Sequence, residues 1–165
     1  MRIDRQRVKE RFASYTRGYD PEDTKIALKI AHTYRVADYC EQIARSIGLT
    51  VDEVEFAWLS GMLHDIGRFE QVKRYNTFID SQSVDHAEFG ADLLFGENGF
   101  IGDYIDDRLW DPMLEIVIRQ HNKYRMDAAI SGKTLVFCNI LRDADKVDIF
   151  RVNVETPMEE IYNVS

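Results

Sequence analysis

The segment LSGMLHDIGRFE, residues 59–70, contains side chains that could do chemistry. It places His64 beside Asp65 at the end of an apolar run, and Gly67 follows two residues later. Burying an unpaired carboxylate is very costly, so Asp65 must cap a helix, pair with a cation or bind a metal. Adjacent helical residues point about 100° apart, because a helix has about 3.6 residues per turn. Both side chains therefore reach one ion only near a helix end, where a glycine loosens the geometry.

The chain contains four histidines, and the apolar pattern places each of them in a different helix. His32 lies mid-helix in AHTYRVA, His86 lies early in SVDHAEFGA, and His121 lies late in VIRQHNKY. An aspartate-rich segment, LRDADKVD at residues 141–148, occupies the last predicted helix. Imidazole and carboxylate groups bind divalent metals, and helical bundles build metal sites from inward side chains on facing helices. A single helical histidine is nevertheless more often an ordinary residue, and the aspartates could form a solvated face.

The elements that must position these residues are predicted to be helices. Helical spacing of apolar residues predicts five of them, at residues 21–49, 50–67, 83–96, 112–124 and 132–152. Residues 69–85 are predicted to be a loop or short helical turns, and residues 100–111 are ambiguous between a short helix and a loop. Sustained strict alternation is absent from the sequence, so the chain is predicted to be all-α.

Start and stop signals set the predicted helix boundaries. Prolines open helices and Ser, Thr or Asp cap them, whereas glycine ends them. These rules predict starts at Pro21, at Thr50 or Asp52, at Ser83 and at Pro112, and stops at Gly48 and Gly67.

Composition limits the class of protein and its partners. A length of 165 residues suits one domain, and 45% apolar with 30% charged residues is an ordinary globular balance. A net charge of −8 argues against a nucleic-acid polymer or an anionic membrane as the main partner, but permits a small anion in a local positive site. Cys40 and Cys138 are predicted to be core residues of a reducing compartment. The charged N-terminus lacks a signal-peptide pattern, so we expect a cytoplasmic protein.

With these residues in place, the chain resembles the HD-domain superfamily of metal-dependent phosphohydrolases. That family is defined by a histidine, a distant His-Asp doublet and a later aspartate. The matching residues are His32 in HTYRVA, His64 and Asp65 in HDIGR, and Asp145 in RDADKVD. The resemblance spans about residues 24–151. It implies an HD-domain-like helical bundle of five or more helices, in a single domain over residues 1–165.

Two further histidines fit the pattern of binuclear members of the superfamily. His86 in DHAEFGA and His121 in IRQHNKY resemble the positions that complete a second metal site. The resemblance therefore implies one or two divalent transition-metal ions. Manganese, iron, nickel, cobalt and zinc all accept mixed histidine and carboxylate ligands, whereas magnesium is less suited to so many imidazoles.

The sequence also departs from two branches of the superfamily. The GYP signature of cyclic-di-GMP phosphodiesterases is absent, since GYD at residues 18–20 precedes the first histidine. The acidic pair that follows the doublet in guanosine-tetraphosphate hydrolases is replaced by IGRFEQ. The usual lysine of HDIGK is Arg68, which keeps the charge but changes its shape. The chain looks most like bacterial HD proteins that carry HDIGRFEQ.

The resemblance implies hydrolysis of a phosphomonoester or phosphodiester of a nucleotide or another small molecule. Asp65 is expected to bridge the two metals, and either Asp65 or a metal-bound hydroxide is expected to supply base function. Arg68 could hold a phosphate through two donors, and Arg35, three residues after His32, could do the same. Lys146 is a weaker candidate, and an ordinary surface charge is an equal alternative for all three cations.

Two other functions remain open at this point. The chain could be a catalytically silent HD-type module that senses a nucleotide. It could also be a structural metalloprotein, but structural zinc sites are usually rich in cysteine, and neither cysteine here lies near a motif.

Overall fold

The computed structural model describes residues 3–155, and within that range it contains seven α-helices and no strand. The all-α prediction is confirmed. Residues 1–2 and 156–165 of the predicted domain lie outside the described residues, so the extent of the domain stays a prediction. The helices are α1 (Arg5–Thr16), α2 (Thr24–Ser46), α3 (Val51–Leu63), α4 (Ile66–Tyr75), α5 (His86–Phe95), α6 (Asp111–Gln120) and α7 (Gly132–Glu155).

Helices α2 and α3 form the centre of the bundle, and α7 packs against both. A Cβ atom added to Gly61 would lie 2.5 Å from the Cα of Ala37, so the two central helices meet almost backbone to backbone. This contact lies three residues before His64 and five residues after His32. The close packing therefore brings the first two candidate ligands to the same level of the bundle.

The central helices begin and end where the sequence signals predict, with small shifts. Asp23 rather than Pro21 caps α2, because its carboxylate accepts from the backbone N–H of Lys25 at 2.8 Å. Gly48, with φ of +75°, follows the end of α2, a conformation that favours glycine. Thr50 caps α3 in a reciprocal capping box with Glu53.

Three boundary predictions are wrong. Helix α3 ends at Leu63, and Gly67 lies inside α4 rather than stopping a helix. Residues 69–85 are predicted to be a loop or short helical turns, but their first part belongs to the longer helix α4, which buries Ile66, Phe69 and Val72 on one face. Asp85 rather than Ser83 caps α5, because its carboxylate accepts from the first free N–H groups of that helix.

The core is continuous and includes both cysteines. Cys40 and Cys138 are fully buried free thiols, which confirms their predicted place in the core. Helix α1, which the sequence pattern did not predict, buries Val8 and Phe12 against the same core. Within residues 3–155, no helix is long and apolar enough to span a bilayer.

Candidate metal centre

The four histidines converge at one level of the bundle, although only two of them lie inside helices. His32 lies mid-way along α2, and His86 is the first residue of α5. His64 and His121 are the residues that directly follow α3 and α6, so their predicted placement within helices is wrong by one position. All four side chains are buried.

The first group consists of His32 on α2, His64 after α3 and Asp145 on α7, which lie around Asp65. The Nε2 atom of His32 lies 3.3 Å from Nε2 of His64 and 3.0 Å from Oδ1 of Asp145. Oδ2 of Asp65 lies 3.4 Å from both of these Nε2 atoms. Ligand atoms at about 2.1 Å from one ion are about 3.0–3.4 Å apart in tetrahedral or octahedral arrangements. The spacing of His32, His64 and Asp65 therefore fits ligands of one metal ion, and Asp145, whose Oδ1 is 3.6 Å from Nε2 of His64, lies at the edge of this group.

The second group uses the other oxygen of Asp65. Oδ1 of Asp65 lies 3.6 Å from Nε2 of His86 and 3.7 Å from Nε2 of His121. The two histidine Nε2 atoms are 3.0 Å apart. Asp65 thus presents one oxygen to each group, as a bridging ligand must.

The hydrogen bonds of His64 and His121 fix which ring nitrogen faces the centre. Nδ1 of His64 donates to the carbonyl of Gly61 at 2.8 Å, and Nδ1 of His121 donates to the carbonyl of Ile118 at 2.7 Å. Carbonyls in the last turn of a helix have no intrahelical donor, so they are available to these rings. Since a carbonyl can only accept, the Nδ1 atoms carry protons, and the Nε2 atoms are the ring nitrogens that face the groups.

Carboxylates orient the other two rings in the same way. Nδ1 of His32 donates to Asp148 at 2.7 Å, and Nδ1 of His86 donates to Asp80 at 2.6 Å. Metal-binding histidines commonly make such a bond through their second nitrogen. In neutral His86 and His121, two bare lone pairs face each other and repel unless a cation or a proton lies between them. The donor set therefore fits divalent metals in both groups.

Charge within the centre shifts several pKa values. Burial lowers the pKa of His64, but the carboxylates of Asp65 and Asp145 outweigh it and raise that pKa to about 10. A metal that binds His64 therefore displaces a proton. Burial, with the nearby charge of Arg68, lowers the pKa of His86 to about 4. Burial opposes ionisation of Asp65, yet the charges of Lys29 and His64 keep its pKa well below the usual range.

The structure changes the role expected of Arg35. Its guanidinium donates to both oxygens of Asp148, at 2.7 and 3.1 Å, and Asp148 is the residue that orients His32. Asp148 is fully buried, so it is not part of a solvated face. Arg35 does not line the cavity beside the centre, and the expectation that it contacts a phosphate is not supported by its position.

Arg68 borders the cavity but is held by several acceptors. Its NH1 group donates to Asp80 at 2.8 Å, to the carbonyl of Phe78 at 2.7 Å and to Gln71 at 2.7 Å. Its Nε lies 3.7 Å from Oδ1 of Asp65, beyond hydrogen-bond distance. Arg68 therefore fixes Asp80, the partner of His86, while its side chain remains beside the centre.

A cavity of about 340 Å³ opens beside both groups. Three cations lie along it, namely Lys29, Arg68 and Lys146. A larger cavity, of about 730 Å³, lies between α1 and residues 104–107, and none of the six candidate ligands lines it. The residues that line the smaller cavity are Lys29, Asp65, Arg68, Asp80, His86, His121, Asn122, Asp145, Lys146 and Ile149.

Sequence reasoning missed Lys29 and Asp80. Lys29 lies three residues before His32, a spacing that places both on one face of α2 and could have revealed it. Asp80 lies in a short 3₁₀ turn of the loop before α5, where no periodic signal marks it. Asp80, Asp85 and His86 also lie close together, but Arg68, Asn122 and Lys123 already pair with the two carboxylates.

Comparison with protein families agrees with this geometry. The family model for the HD domain matches residues 30–149, an interval that contains all six candidate ligands. The chain belongs to the HD domain family. HD domains bind divalent metals and are usually hydrolases, and the two groups around Asp65 could hold such ions. The resemblance to this superfamily, stated above from the motifs, is thereby confirmed.

A second likeness covers a shorter part of the chain. Over 46 residues the chain is 35% identical to the 3'3'-cGAMP-specific phosphodiesterase 1 of Vibrio cholerae. The matched segment is 28% of this chain and 11% of that relative, so the likeness covers only a small part of the relative's length. No solved structure matches the chain.

Proposed function

We propose that this HD domain is a phosphohydrolase that acts on a small phosphate ester with two bound divalent metals. The observation that carries the proposal is the position of Asp65, whose two oxygens face two separate pairs of histidine Nε2 atoms. A structural staple needs one closed ion site and no adjoining cavity. Here both groups border a cavity of about 340 Å³ that also contains three cationic side chains.

Each of the six candidate residues has a defined part in this proposal. His32, His64 and Asp145 would hold the first ion, His86 and His121 would hold the second, and Asp65 would contact both. Bound divalent metals lower the pKa of water and neutralise phosphoryl oxygens. In the reaction, a water oxygen bonds to phosphorus and the ester P–O bond breaks. One water proton ends on the leaving oxygen and the other on the product phosphate.

The surroundings of Asp65 favour a role as a metal ligand over a role as a general base. An efficient general base has a pKa near the working pH. Both oxygens of Asp65 face histidine groups that would hold cations, and nearby cations keep a carboxylate ionised. We therefore propose that Asp65 acts mainly by holding the ions, rather than by storing a proton.

The cavity and the relative support a small substrate of the nucleotide class. Ligand sites usually span about 300–1,000 Å³, so this cavity is at the small end of the range. The relative from Vibrio cholerae is named for a cyclic dinucleotide, which supports a nucleotide as the first substrate class to test. The negative net charge of −8 argues against a nucleic-acid polymer.

The proposal is tested by turnover on a panel of phosphomonoesters and phosphodiesters, with metal-loaded protein and an Asp65→Asn variant. Asp65→Asn keeps the size of the side chain but removes its charge. We expect turnover to fall by more than about 10–100-fold, the usual cost of losing even the partner that orients a metal ligand. Helicity should be retained, because the bundle has its own apolar core. Full turnover in the variant would refute the role of Asp65. A wild type that is stabilised by a nucleotide but hydrolyses no ester would favour the sensing module instead.

A further inference from the structure

Lys29 lies where the first histidine group meets the cavity. Its Nζ atom donates to Oδ2 of Asp65 at 2.6 Å, and its side chain is 13% exposed. The ammonium also lies 5.4 Å from the centre of the Phe78 ring. Lys29 is therefore a largely buried cation whose hydrogen bond is to the residue shared by both groups.

The hydrogen bond of Lys29 uses the oxygen that a metal in the first group needs. Oδ2 of Asp65 is the atom that lies 3.4 Å from Nε2 of His32 and of His64. A divalent cation held by these three atoms would lie close to the ammonium, and like charges repel strongly at such short range in a partly buried site. Binding of the metal therefore works against the contact between Lys29 and Asp65.

The cavity offers Lys29 a second partner. Lys29, Arg68 and Lys146 all line it, but Arg68 is engaged by Asp80 and by the carbonyl of Phe78, and Lys146 is exposed. Lys29 is thus the buried cavity cation that a metal would release. An anion with several oxygens, such as a phosphate group, could accept the hydrogen bond that Asp65 gives up.

We propose that Lys29 couples the binding of a divalent cation to the binding of a phosphate group. Lys29 contacts Asp65 when neither ligand is bound, and it donates to a phosphate oxygen once the cation has taken Asp65. This inference rests on the metal-dependent function proposed above. It requires that phosphate tightens metal binding and that metal tightens phosphate binding by the same factor, since linkage is reciprocal.

The test is a Mn²⁺ titration of the full chain, with free Mn²⁺ measured by electron paramagnetic resonance, in the presence and absence of inorganic phosphate. In the wild type, phosphate should tighten Mn²⁺ binding about tenfold, within the usual 5–150-fold span of such couplings. Without phosphate, Lys29→Met should bind Mn²⁺ more tightly than the wild type, because a competing cation is gone. Phosphate should then tighten Mn²⁺ binding severalfold less in this variant.

Lys146→Met is the matched control, since it removes a cavity cation that makes no contact with Asp65. It should leave Mn²⁺ binding without phosphate close to that of the wild type. Circular dichroism checks folding, and if Lys29→Met does not fold, Lys29→Gln replaces it and keeps a hydrogen-bond donor without the charge.

The inference is overturned if the Lys29 variants bind Mn²⁺ no more tightly than the wild type and phosphate tightens their Mn²⁺ binding as much as before. Lys29 would then be a permanent counter-ion of Asp65. If the wild type hydrolyses phosphate esters and gives this result, only the role of Lys29 fails. A wild type that binds no Mn²⁺ or other divalent metal overturns the proposed function as well.

Discussion

Replacing Gly67 by alanine should damage the second histidine group through the backbone. A Cβ atom at this position would lie 2.4 Å from the carbonyl oxygen of His86 and 2.7 Å from the backbone N of Gly90. Ordinary contact begins near 3.4 Å, so α4 and α5 must separate by about 1 Å. Overpacking of this kind costs about 1–3 kcal/mol. For a chain of this length, each kcal/mol lowers the melting temperature by about 2–4 °C.

The same displacement moves His86 away from Asp65, where the distance between Nε2 and Oδ1 is 3.6 Å. We therefore expect Gly67→Ala to lose metal from the second group before the first, as measured by elemental analysis beside thermal melting. Gly102→Ala is the control, because the nearest atom to an added Cβ there is a flexible arginine nitrogen at 3.5 Å. A Gly67→Ala variant with wild-type melting and metal content would refute the argument that close packing of α4 on α5 sets the second group.

Two further predictions concern residues that support the site and the fold. Asp148→Asn should weaken metal binding at the first group by about 10–100-fold, the usual effect of losing the partner that orients a histidine ligand. Asp143→Asn, on the exposed face of α7, is the control and should leave metal affinity unchanged. Equal metal affinities of the two variants, measured by competition with a chelator, would contradict this prediction. Glu53→Gln should lower the free energy of unfolding at pH 7 by about 0.3–1 kcal/mol, because it keeps an acceptor for the capping box of α3 but removes the negative charge that pairs with Lys133 and stabilises the start of that helix. Hydrogen bonds from Lys133 and from Thr50 lower the pKa of Glu53 to about 2. The ionised carboxylate therefore stabilises the folded protein fully above the ordinary glutamate pKa of 4.5, and this stabilisation declines as pH falls toward 2. In denaturant titrations, the difference in the free energy of unfolding between wild type and Glu53→Gln should narrow as pH falls from 4.5 to 2. A difference that stays constant over this pH range would contradict the stabilising role of ionised Glu53.

The sequence predicted the long helices and suggested a candidate ligand set because both have local signals. Helices α2 and α3 combine apolar spacing with a capping residue, α7 is recognised by its length, and the HD motifs mark the candidate ligands. Helix α4 was missed because a glycine after an apolar run is read as a stop. In the structure Gly67 instead allows α4 and α5 to approach, which a single sequence does not distinguish from a stop.

The supporting residues could not be predicted for a different reason. Asp148 is 116 positions from His32 in the chain, and only the packing of α7 on α2 brings them together. The same packing turns Arg35 toward Asp148, although its position on α2 suggested a phosphate contact. The spacing of residues along one helix predicts which of them share a face. It does not predict which residues of the neighbouring helix contact that face.

The most direct test of the two-metal centre is the metal content of purified, reconstituted protein, compared with that of a His86→Ala/His121→Ala variant. Asp65 presents one oxygen to each group, so the wild type should hold two divalent ions per chain. The variant should hold one, because His32, His64 and Asp145 are left in place. A wild type without bound metal after reconstitution, or a variant with the same content as the wild type, would contradict the two-metal centre.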